Sequence, residues 1–340
     1  MNRRTFFLGI SGLAGCTLDR RPRLNVYNWS DYVAPETVPN FEKESGVRVR
    51  YATYESNEEM LAKVFTGNSG WDVVFPTYTR IAPMRDYGLL APLRHEWLPN
   101  LKNLGPDFGA PTWDPGLNWS MPYMWFSTGI VYNRRAQPAP SRWADLWDPR
   151  WKGRLTMLDD PEDTIGACLK KLRYSFSTTS TEELRQAERE AIRQKPLLRA
   201  YLNAEVRDQL VSGDVLAAQL WSTTAQQAID AASNLAFVYP AEGFPFYCDC
   251  AVILRESGRQ RLAHEFLDYL LRPQVSAAIS QATRTATANA AAQELLPEAT
   301  RNNPTLYPPP EIFRQGEWPR TNPPAIQRLR DRMWTEIKAS

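Results

Sequence analysis

The hydrophobic and polar positions of the N-terminal third alternate between the two-residue period of strands and the spacing of amphipathic helices. Residues 24–29, 47–54 and 71–76 have the alternating or short apolar runs that predict strands. A helix pattern at 35–45 and another that follows the capping box at 56–59 lie between them, and each is followed by a glycine. This order predicts an α/β protein with a mainly parallel sheet and helices on both faces.

The middle and C-terminal parts of the chain show the same two patterns with different boundaries. A second capping box begins at Ser180 and opens a charged helix that extends to about residue 195. The remaining predicted elements are strands at 215–221 and 235–239 and helices at 223–233, 258–272, from 273 onward and 325–337. Prolines and tryptophans crowd residues 111–151, which predicts a loop-rich connection.

Candidate binding residues follow from this architecture, because ligands of doubly wound domains bind beyond the carboxyl ends of the strands. That rule marks residues 29–32, 77–79, 221–223 and 247–249. Two of these segments join an acid to aromatic rings: Asp31 lies beside Trp29 and Tyr32, and Asp249 lies beside Tyr247. Carboxylates pair with ligand cations, and aromatic faces attract cations and cover methylene groups. The 247–249 segment opens a predicted strand instead of closing one.

Asp160 and Asp163 form a third acidic candidate, since a spacing of three places both on one side of a helix. The same residues have a structural interpretation, in which Asp160 is an N-cap and Pro161 the first helical residue. Strand-end tryptophans can likewise belong to the core, and Asp31 to the surface. The residues alone therefore predict an exported two-domain α/β protein, with an acidic, aromatic cleft as one of two interpretations.

The first sixteen residues predict export and lipid attachment. Arg3 and Arg4 precede an apolar stretch of about ten residues, which is typical of a twin-arginine signal peptide. Residues 13–16, Leu-Ala-Gly-Cys, resemble the site cut by lipoprotein signal peptidase. We therefore predict a signal peptide at 1–15, lipidation of Cys16 and a linker at 16–23, against the alternative of an ordinary leader. The mature chain would be anchored to the membrane without spanning it.

Composition excludes several classes of function. Removal of residues 1–15 takes away two arginines and no acid, which leaves 38 basic and 38 acidic residues and argues against nucleic acid as a partner. Cys168, Cys248 and Cys250 remain, and the last two would share one face of a strand with Asp249 on the other. This pair suits buried apolar positions better than a metal or redox site. We find no catalytic, phosphate-binding or dinucleotide motif and predict no metal or cofactor.

Several segments together resemble the bacterial spermidine/putrescine-binding proteins of polyamine ABC importers. The resemblance covers residues 24–340 in collinear order. It is carried by YNWSDY at 27–32, FEKESG at 41–46, TYESNE at 53–58, WDVVFP at 71–76, MPYMW at 121–125, WADLW at 143–147, LYP at 306–308 and GEW at 316–318.

The resemblance implies a two-lobed periplasmic-binding-protein fold whose lobes close like a hinge on the ligand. It implies one lobe at 24–127 plus 248–293, a second at 128–247 plus 294–340, and crossing segments between them. It implies binding without catalysis, a periplasmic monomer and a membrane permease as partner. The implied ligand contacts are Trp29, Ser30, Asp31, Tyr32, Thr77, Asp160, Asp163, Trp221, Tyr247 and Asp249.

The chain also departs from the family pattern. Thr285, beside Arg284, replaces an expected tyrosine, Pro319 replaces a glutamine, and Thr224 replaces an acid that some putrescine binders carry. Arg80 adds a cation near the 77–79 loop. The retained acids favour a triamine such as spermidine. The alternatives are a zwitterion whose carboxylate meets Arg80 or Arg284, and an exported enzyme.

Overall fold

A computed structural model describes residues 21–340 of the chain. The predicted signal peptide and Cys16 lie outside these described residues. Within residues 21–340, no helix combines the length and the apolar character that crossing a membrane requires.

The secondary structure alternates strands and helices along the chain. The strands are β1 Arg23–Trp29, β2 Arg48–Tyr54, β3 Val73–Val74, β4 Met121–Asn133, β5 Leu155–Met157, β6 Leu198–Tyr201, β7 Ala217–Trp221, β8 Leu235–Val238, β9 Phe244–Ile253, β10 Ala286–Thr287 and β11 Gly316–Glu317. The α-helices are α1 Thr37–Ser45, α2 Asn57–Val64, α3 Ile81–Asp86, α4 Pro106–Gly109, α5 Pro161–Lys171, α6 Thr181–Gln194, α7 Val206–Ser212, α8 Ser222–Ala231, α9 Gln260–Leu270, α10 Pro273–Thr283, α11 Ala290–Gln293, α12 Glu298–Arg301, α13 Pro310–Phe313 and α14 Pro324–Ala339.

Two groups of parallel strands with the same internal order flank a pair of long antiparallel strands. In the first parallel group β1 lies between β2 and β3, and in the second β5 lies between β6 and β7. The main order is β2-β1-β3-β9-β4-β7-β5-β6, while β8 and β10 pair with β4 and β11 pairs with β9. This arrangement confirms the predicted two-lobed α/β class, with each parallel group built from strand–helix–strand units.

The long strands β4 and β9 connect the two parallel groups. Residues 121–127 of β4 pair with β9, and from Thr128 onward β4 pairs with β7 of the second group. β9 pairs on its other side with β3 of the first group. β4 therefore changes its pairing partner from β9 to β7 between Ser127 and Thr128.

The loop-rich connection predicted for residues 111–151 is wrong over residues 121–133, where β4 forms. Nearly every residue of β4 is buried, so the strand lacks the alternation that marks a half-exposed strand. It also contains Pro122, which a central strand normally excludes. Pro122 is tolerated because the pairing register shifts between Pro122 and Met124, where a ladder hydrogen bond is not required.

The helix starts follow the predicted capping signals. The Ser56 hydroxyl accepts from the Glu59 backbone N–H at 3.1 Å, and the Ser180 hydroxyl accepts from the Glu183 N–H at 3.4 Å. Both serines are therefore confirmed as N-caps, while the glutamates accept from other donors, Glu59 from the Glu55 N–H and Glu183 from the Thr178 hydroxyl. The first helix begins at Thr37, two residues after the predicted start, and ends at Ser45; the following Gly46 has a φ of 69°, which favours glycine.

The strand predicted at 71–76 is reduced to Val73 and Val74. Asp72 accepts from the Asn25 backbone N–H at 2.7 Å and from the Ser257 hydroxyl at 2.6 Å. Its side chain therefore holds β1 and the turn before α9 together. These tertiary contacts decide where β3 begins.

An aromatic cluster joins segments that are far apart in the chain. The rings of Phe246 and Trp318 lie 5.4 Å apart, and Trp318 contacts Trp113 at 5.8 Å. Tyr78 packs on Trp113 at 4.5 Å. Because Tyr78 directly follows Thr77, this cluster supports the loop that carries Thr77.

The three described cysteines are buried and unpaired. Cys248 and Cys250 lie side by side on β9, with their sulfur atoms 4.0 Å apart, and Asp249 points to the opposite face. They pack in the main hydrophobic cluster. The predicted shared face of the cysteine pair is therefore confirmed.

Gly129 provides a test of the tight packing around β4. A methyl group at Gly129 would come within 2.4 Å of the Phe237 ring and 2.7 Å of the Val238 carbonyl oxygen. We expect Gly129→Ala to lower the free energy of unfolding by about 1–3 kcal/mol. Gly258→Ala is the matched control, because a methyl group there meets nothing within 4 Å. Equal urea midpoints for both variants would contradict this packing.

Candidate functional site

A cavity of about 430 Å³ lies at the carboxyl ends of strands from both parallel groups. It is lined by Trp29, Ser30, Asp31, Tyr32, Glu55, Asn57, Thr77, Phe126, Asp160, Glu162, Asp163, Asn203, Ala204, Glu205, Arg207, Trp221, Thr223, Thr224, Gln227, Tyr247 and Asp249. The structure thus brings all ten sequence-predicted site residues to one cavity. This agrees with the rule that places ligands beyond strand ends.

The end of β1 supplies one wall of the cavity. The Trp29 indole N–H donates to the Phe75 carbonyl at 2.8 Å, which fixes the ring plane. Asp31 is exposed at the cavity mouth and has a φ of 51°, a left-handed conformation that aspartate tolerates better than most residues. The Ser30 hydroxyl donates to Glu55. The tight turn at Asp31 therefore directs four consecutive side chains to the same opening.

Asp249 lies on β9 at the base of this wall and is 2% exposed. Its Oδ2 accepts from the Tyr32 hydroxyl at 2.8 Å, and its Oδ1 accepts from the Thr77 hydroxyl at 2.7 Å. Thr77 is held in turn by the Asn57 side chain. Burial raises the pKa of Asp249 to about 7 although the two hydroxyl donors oppose the shift. The carboxylate is thus held in place by neutral groups only.

The start of α5 supplies the opposite acidic wall. Asp160 caps the helix, because its Oδ1 accepts from the backbone N–H groups of Glu162 and Asp163 at 2.8 and 3.0 Å. The capping interpretation of Asp160 is therefore confirmed. Both capping hydrogen bonds are accepted by Oδ1 alone, and Asp160 also lines the cavity. Burial and the neighbouring charge of Asp163 raise the pKa of Asp160 well above its usual range.

Asp163 is 2% exposed and contacts the floor of the cavity. Its Oδ2 accepts from the Trp221 indole N–H at 2.9 Å, while its Oδ1 has no hydrogen-bond partner among the described residues. Burial raises the pKa of Asp163 to about 7, and the nearby Thr128 hydroxyl, the Trp221 indole and the Tyr247 hydroxyl oppose the shift. A buried oxygen without a partner is costly, so Asp163 is suited to meet a donor that enters the cavity.

Three aromatic rings lie between the two acidic walls. Phe126 packs against Tyr247 at 5.7 Å and against Trp221 at 6.4 Å. The Tyr247 hydroxyl is buried and has no partner among the described residues. These rings cover apolar surface, and the Tyr247 hydroxyl lies close enough to Asp163 to lower the pKa of that carboxyl.

The sequence interpretation missed several lining residues. Phe126 belongs to the unpredicted part of β4, and residues 203–207 follow β6, which was not predicted either. Glu55 carried a usable signal, since it directly follows the end of β2. Glu162 lies between the candidates Asp160 and Asp163, but its ion pair is with Arg80, which is far away in the sequence and gives no local signal.

The positions that depart from the family pattern fall into two sets. Thr224 lines the cavity, whereas Thr285 and Pro319 do not. Arg80 does not line it either, and pairs with Glu162 at 2.9 Å. Arg284 pairs with Asp230 at 2.6 Å. The two arginines considered as partners for a ligand carboxylate are therefore already paired with carboxylates of the protein.

The charge of the lining is strongly acidic. Seven lining residues carry a carboxyl group and one, Arg207, carries a positive charge. Within residues 21–340, no group of three or more His, Cys, Asp or Glu side chains is arranged to hold a metal ion. The geometry suits a small cation with an apolar body.

Comparisons with known proteins give consistent results. The family model described as bacterial extracellular solute-binding protein matches residues 79–315. The chain is 34% identical over 310 residues to the spermidine/putrescine-binding periplasmic protein of Escherichia coli K12, covering 90% of this chain and 89% of that protein. It is 32% identical to the putrescine-binding periplasmic protein PotF of the same organism, with 93% and 91% covered.

Solved structures extend the likeness to the whole fold. The spermidine/putrescine substrate-binding protein PotD of Streptococcus pneumoniae is similar with a TM-score of 0.82 at 29% identity, covering 94% of this chain and 99% of that one. The TpPotD lipoprotein of Treponema pallidum also has a TM-score of 0.82, at 25% identity, with 93% and 99% covered.

The raised pKa values of Asp163 and Asp249 predict how stability depends on pH. Both groups ionise near pH 4 in an unfolded chain and near pH 7 in the folded, ligand-free protein. The folded state therefore binds more protons between those values, and its stability falls as pH rises from about 4 to about 7. Asp249→Asn removes one such group and should stabilise the protein above pH 7 by about 1–4 kcal/mol.

Urea unfolding of the ligand-free protein at several pH values between 4 and 8 measures this effect. The exposed Asp107 is the control, and Asp107→Asn should keep the pH dependence of the parent. A variant at Asp249 with unchanged pH dependence would show that this carboxyl is not the titrating group.

Proposed function

The chain belongs to the family of bacterial extracellular solute-binding proteins, and from that premise we propose that it captures a polyamine for uptake by an ABC importer. The relatives whose names refer to spermidine and putrescine support this ligand class. Binding without a chemical step is proposed, with a membrane permease as partner and a monomeric, periplasmic protein as the working form.

One observation carries the choice of ligand. Asp249 is buried, and the partners of its two oxygens are the neutral hydroxyls of Tyr32 and Thr77. A buried carboxylate without a cation is unfavourable, so an ammonium group that enters the cavity gains a strong partner. Asp163 repeats the arrangement on the opposite wall, where one oxygen accepts from the neutral Trp221 indole.

The aromatic rings supply the second requirement of a polyamine. Its methylene groups need apolar contact, and its ammonium groups are attracted to ring faces by about 0.5–2 kcal/mol each. Trp29, Trp221 and Tyr247 line the cavity together with the acids. The ten residues predicted from the sequence are therefore proposed as the ligand contacts. A zwitterion is less well supported, because Arg80 and Arg284 are paired with Glu162 and Asp230, and the one lining cation, Arg207, is outnumbered by seven lining carboxyl groups.

We propose that ligand capture closes the two lobes about the crossing strands. The proposed lobes are residues 24–127 with 248–293, and residues 128–247 with 294–340. The exchange of pairing partners along β4 between Ser127 and Thr128 supports a boundary at that point. Acids from both lobes line one cavity, so a cation between them favours the closed form.

Export and anchoring complete the proposal. Arg3 and Arg4 would direct twin-arginine export, and Cys16 would carry lipid after removal of residues 1–15. A relative that is a lipoprotein, TpPotD, supports the anchor. The segment 16–23 would then connect the lipid to β1.

A thermal-shift titration tests the ligand class. Spermidine or putrescine at about 1000 times the dissociation constant should stabilise the mature protein by about 4 kcal/mol, whereas amino acids should not. Asp249→Asn should weaken polyamine binding roughly 100-fold because it removes a buried charge partner. Trp221→Ala should weaken it about tenfold.

Trp334→Ala provides the control for aromatic loss. Trp334 packs on Tyr201 outside the cavity, so this variant should keep the shift that polyamines induce. A shift with amino acids and none with any polyamine would reject the proposed ligand class. Parent-like polyamine binding by both site variants would reject the proposed site.

Cell fractionation tests the anchor. The full-length chain should be found with the membrane, and Cys16→Ser should release it to the soluble periplasmic fraction because the lipid attachment site is lost. Joint replacement of Arg3 and Arg4 by lysine should retain the chain in the cytoplasm if export uses the twin-arginine route. Membrane association of Cys16→Ser equal to that of the parent would contradict lipidation at this residue.

A further inference from the structure

Arg80 is a nearly buried cation beside an acidic cavity that it does not line. Its side chain is 12% exposed. Its Nη1 lies 2.9 Å from Oε1 of Glu162 on α5, and its Nη2 lies 3.4 Å from Oε1 of Glu58 on α2. Glu58 is largely exposed, whereas Glu162 is 14% exposed and lines the cavity. The guanidinium therefore compensates mainly the charge of Glu162.

The position of Glu162 makes this compensation relevant to the ligand. Asp160, Glu162 and Asp163 all lie at the start of α5, so one wall of the cavity carries three acids within a single turn. Close carboxylates oppose each other's ionisation. Arg80 pairs with the middle acid and leaves the outer two to face the cavity without a protein cation bonded to them.

A ligand with more ammonium groups needs more uncompensated carboxylates, because each desolvated cation must be paired. Asp249 supplies one partner from β9, and the shared pair Asp160 and Asp163 supplies another from α5. The other three lining carboxylates outside α5, Asp31, Glu55 and Glu205, are exposed to solvent and do not provide a desolvated partner. Glu162 would be the natural partner of a further ammonium group on the α5 wall. Arg80 already forms an ion pair with this carboxylate.

We propose that Arg80 is a specificity-determining residue: a built-in cation that neutralises Glu162 and thereby favours a diamine over a triamine in the cavity. This inference rests on the proposed function and refines its ligand class. It differs from the expectation of a triamine based on the retained acids, since that expectation did not include the Arg80–Glu162 pair.

Isothermal titration calorimetry with putrescine and spermidine tests the proposal through the ratio of the two affinities. Arg80→Gln leaves Glu162 uncompensated and should raise the preference for spermidine over putrescine about tenfold. Glu162→Gln removes the shorter of the two ion pairs of Arg80, leaves the exposed Glu58 as its partner, and should lower that preference by a similar factor, because the less compensated cation repels the triamine more. The double variant should return to within about threefold of the parent.

Two further variants separate the charge effect from other consequences. Arg80→Lys keeps the positive charge and should keep the parental ratio. Arg85→Gln removes an arginine that pairs with Asp86 on the protein surface, outside the cavity, and should also leave the ratio unchanged.

The ratio also distinguishes specificity from lobe closure. Arg80 joins α2 and α5, so its loss could weaken both ligands by the same factor through a poorer closed form. Such a parallel loss, with an unchanged ratio in Arg80→Gln and Glu162→Gln, would overturn the proposal while leaving polyamine binding intact. If Arg80→Gln does not fold, an unchanged ratio in Glu162→Gln alone overturns it. A parent that binds neither amine would overturn the proposed function as well.

Discussion

The burial of Asp249 and Asp163 without a protein cation is the constraint on which the rest of the site depends. Each is 2% exposed; both oxygens of Asp249 accept from hydroxyl donors, whereas only one oxygen of Asp163 accepts a hydrogen bond, from an indole N–H. Neutral donors orient a carboxylate but compensate its charge only partly, which is why burial raises both pKa values to about 7. These buried carboxyl groups are therefore a source of instability that the surrounding structure must offset.

The long crossing strands β4 and β9 offset this instability and also position the site residues. β9 is buried at all ten positions, and its alternation directs Tyr247 and Asp249 to the cavity while Cys248 and Cys250 pack in the core. The aromatic cluster around Trp318 supports the adjoining loop at Thr77. Rigid packing of this kind holds the hydroxyl donors in position before a ligand arrives, which reduces the ordering cost of binding.

The start of α5 combines structural and binding roles in a few residues. Asp160 caps the helix with one oxygen and still borders the cavity, so the choice between a cap and a ligand contact was not exclusive. The positive end of the helix dipole lies among these acids and partly stabilises their charge. Glu162, in the same turn, forms an ion pair with Arg80, which follows β3 of the first parallel group. This ion pair therefore connects the acidic wall of the cavity to the first parallel group.

Local patterns in the sequence determined the α/β class, the helix caps at Ser56, Ser180 and Asp160, and the strand ends that carry residues 29–32, Thr77 and Trp221. These features depend on periodicity and on neighbouring residues, so they can be deduced without knowledge of distant contacts. The rest of the ten candidate residues lie at the start of α5 or within β9. Whether those ten residues contact a ligand stays a prediction, although they line one cavity. Tertiary structure decided the rest: the central strand β4, the pKa of Asp249, and the pairing of Arg80 with Glu162. Each of these arises from burial or from contact between segments far apart in the chain, and no local pattern encodes such an environment.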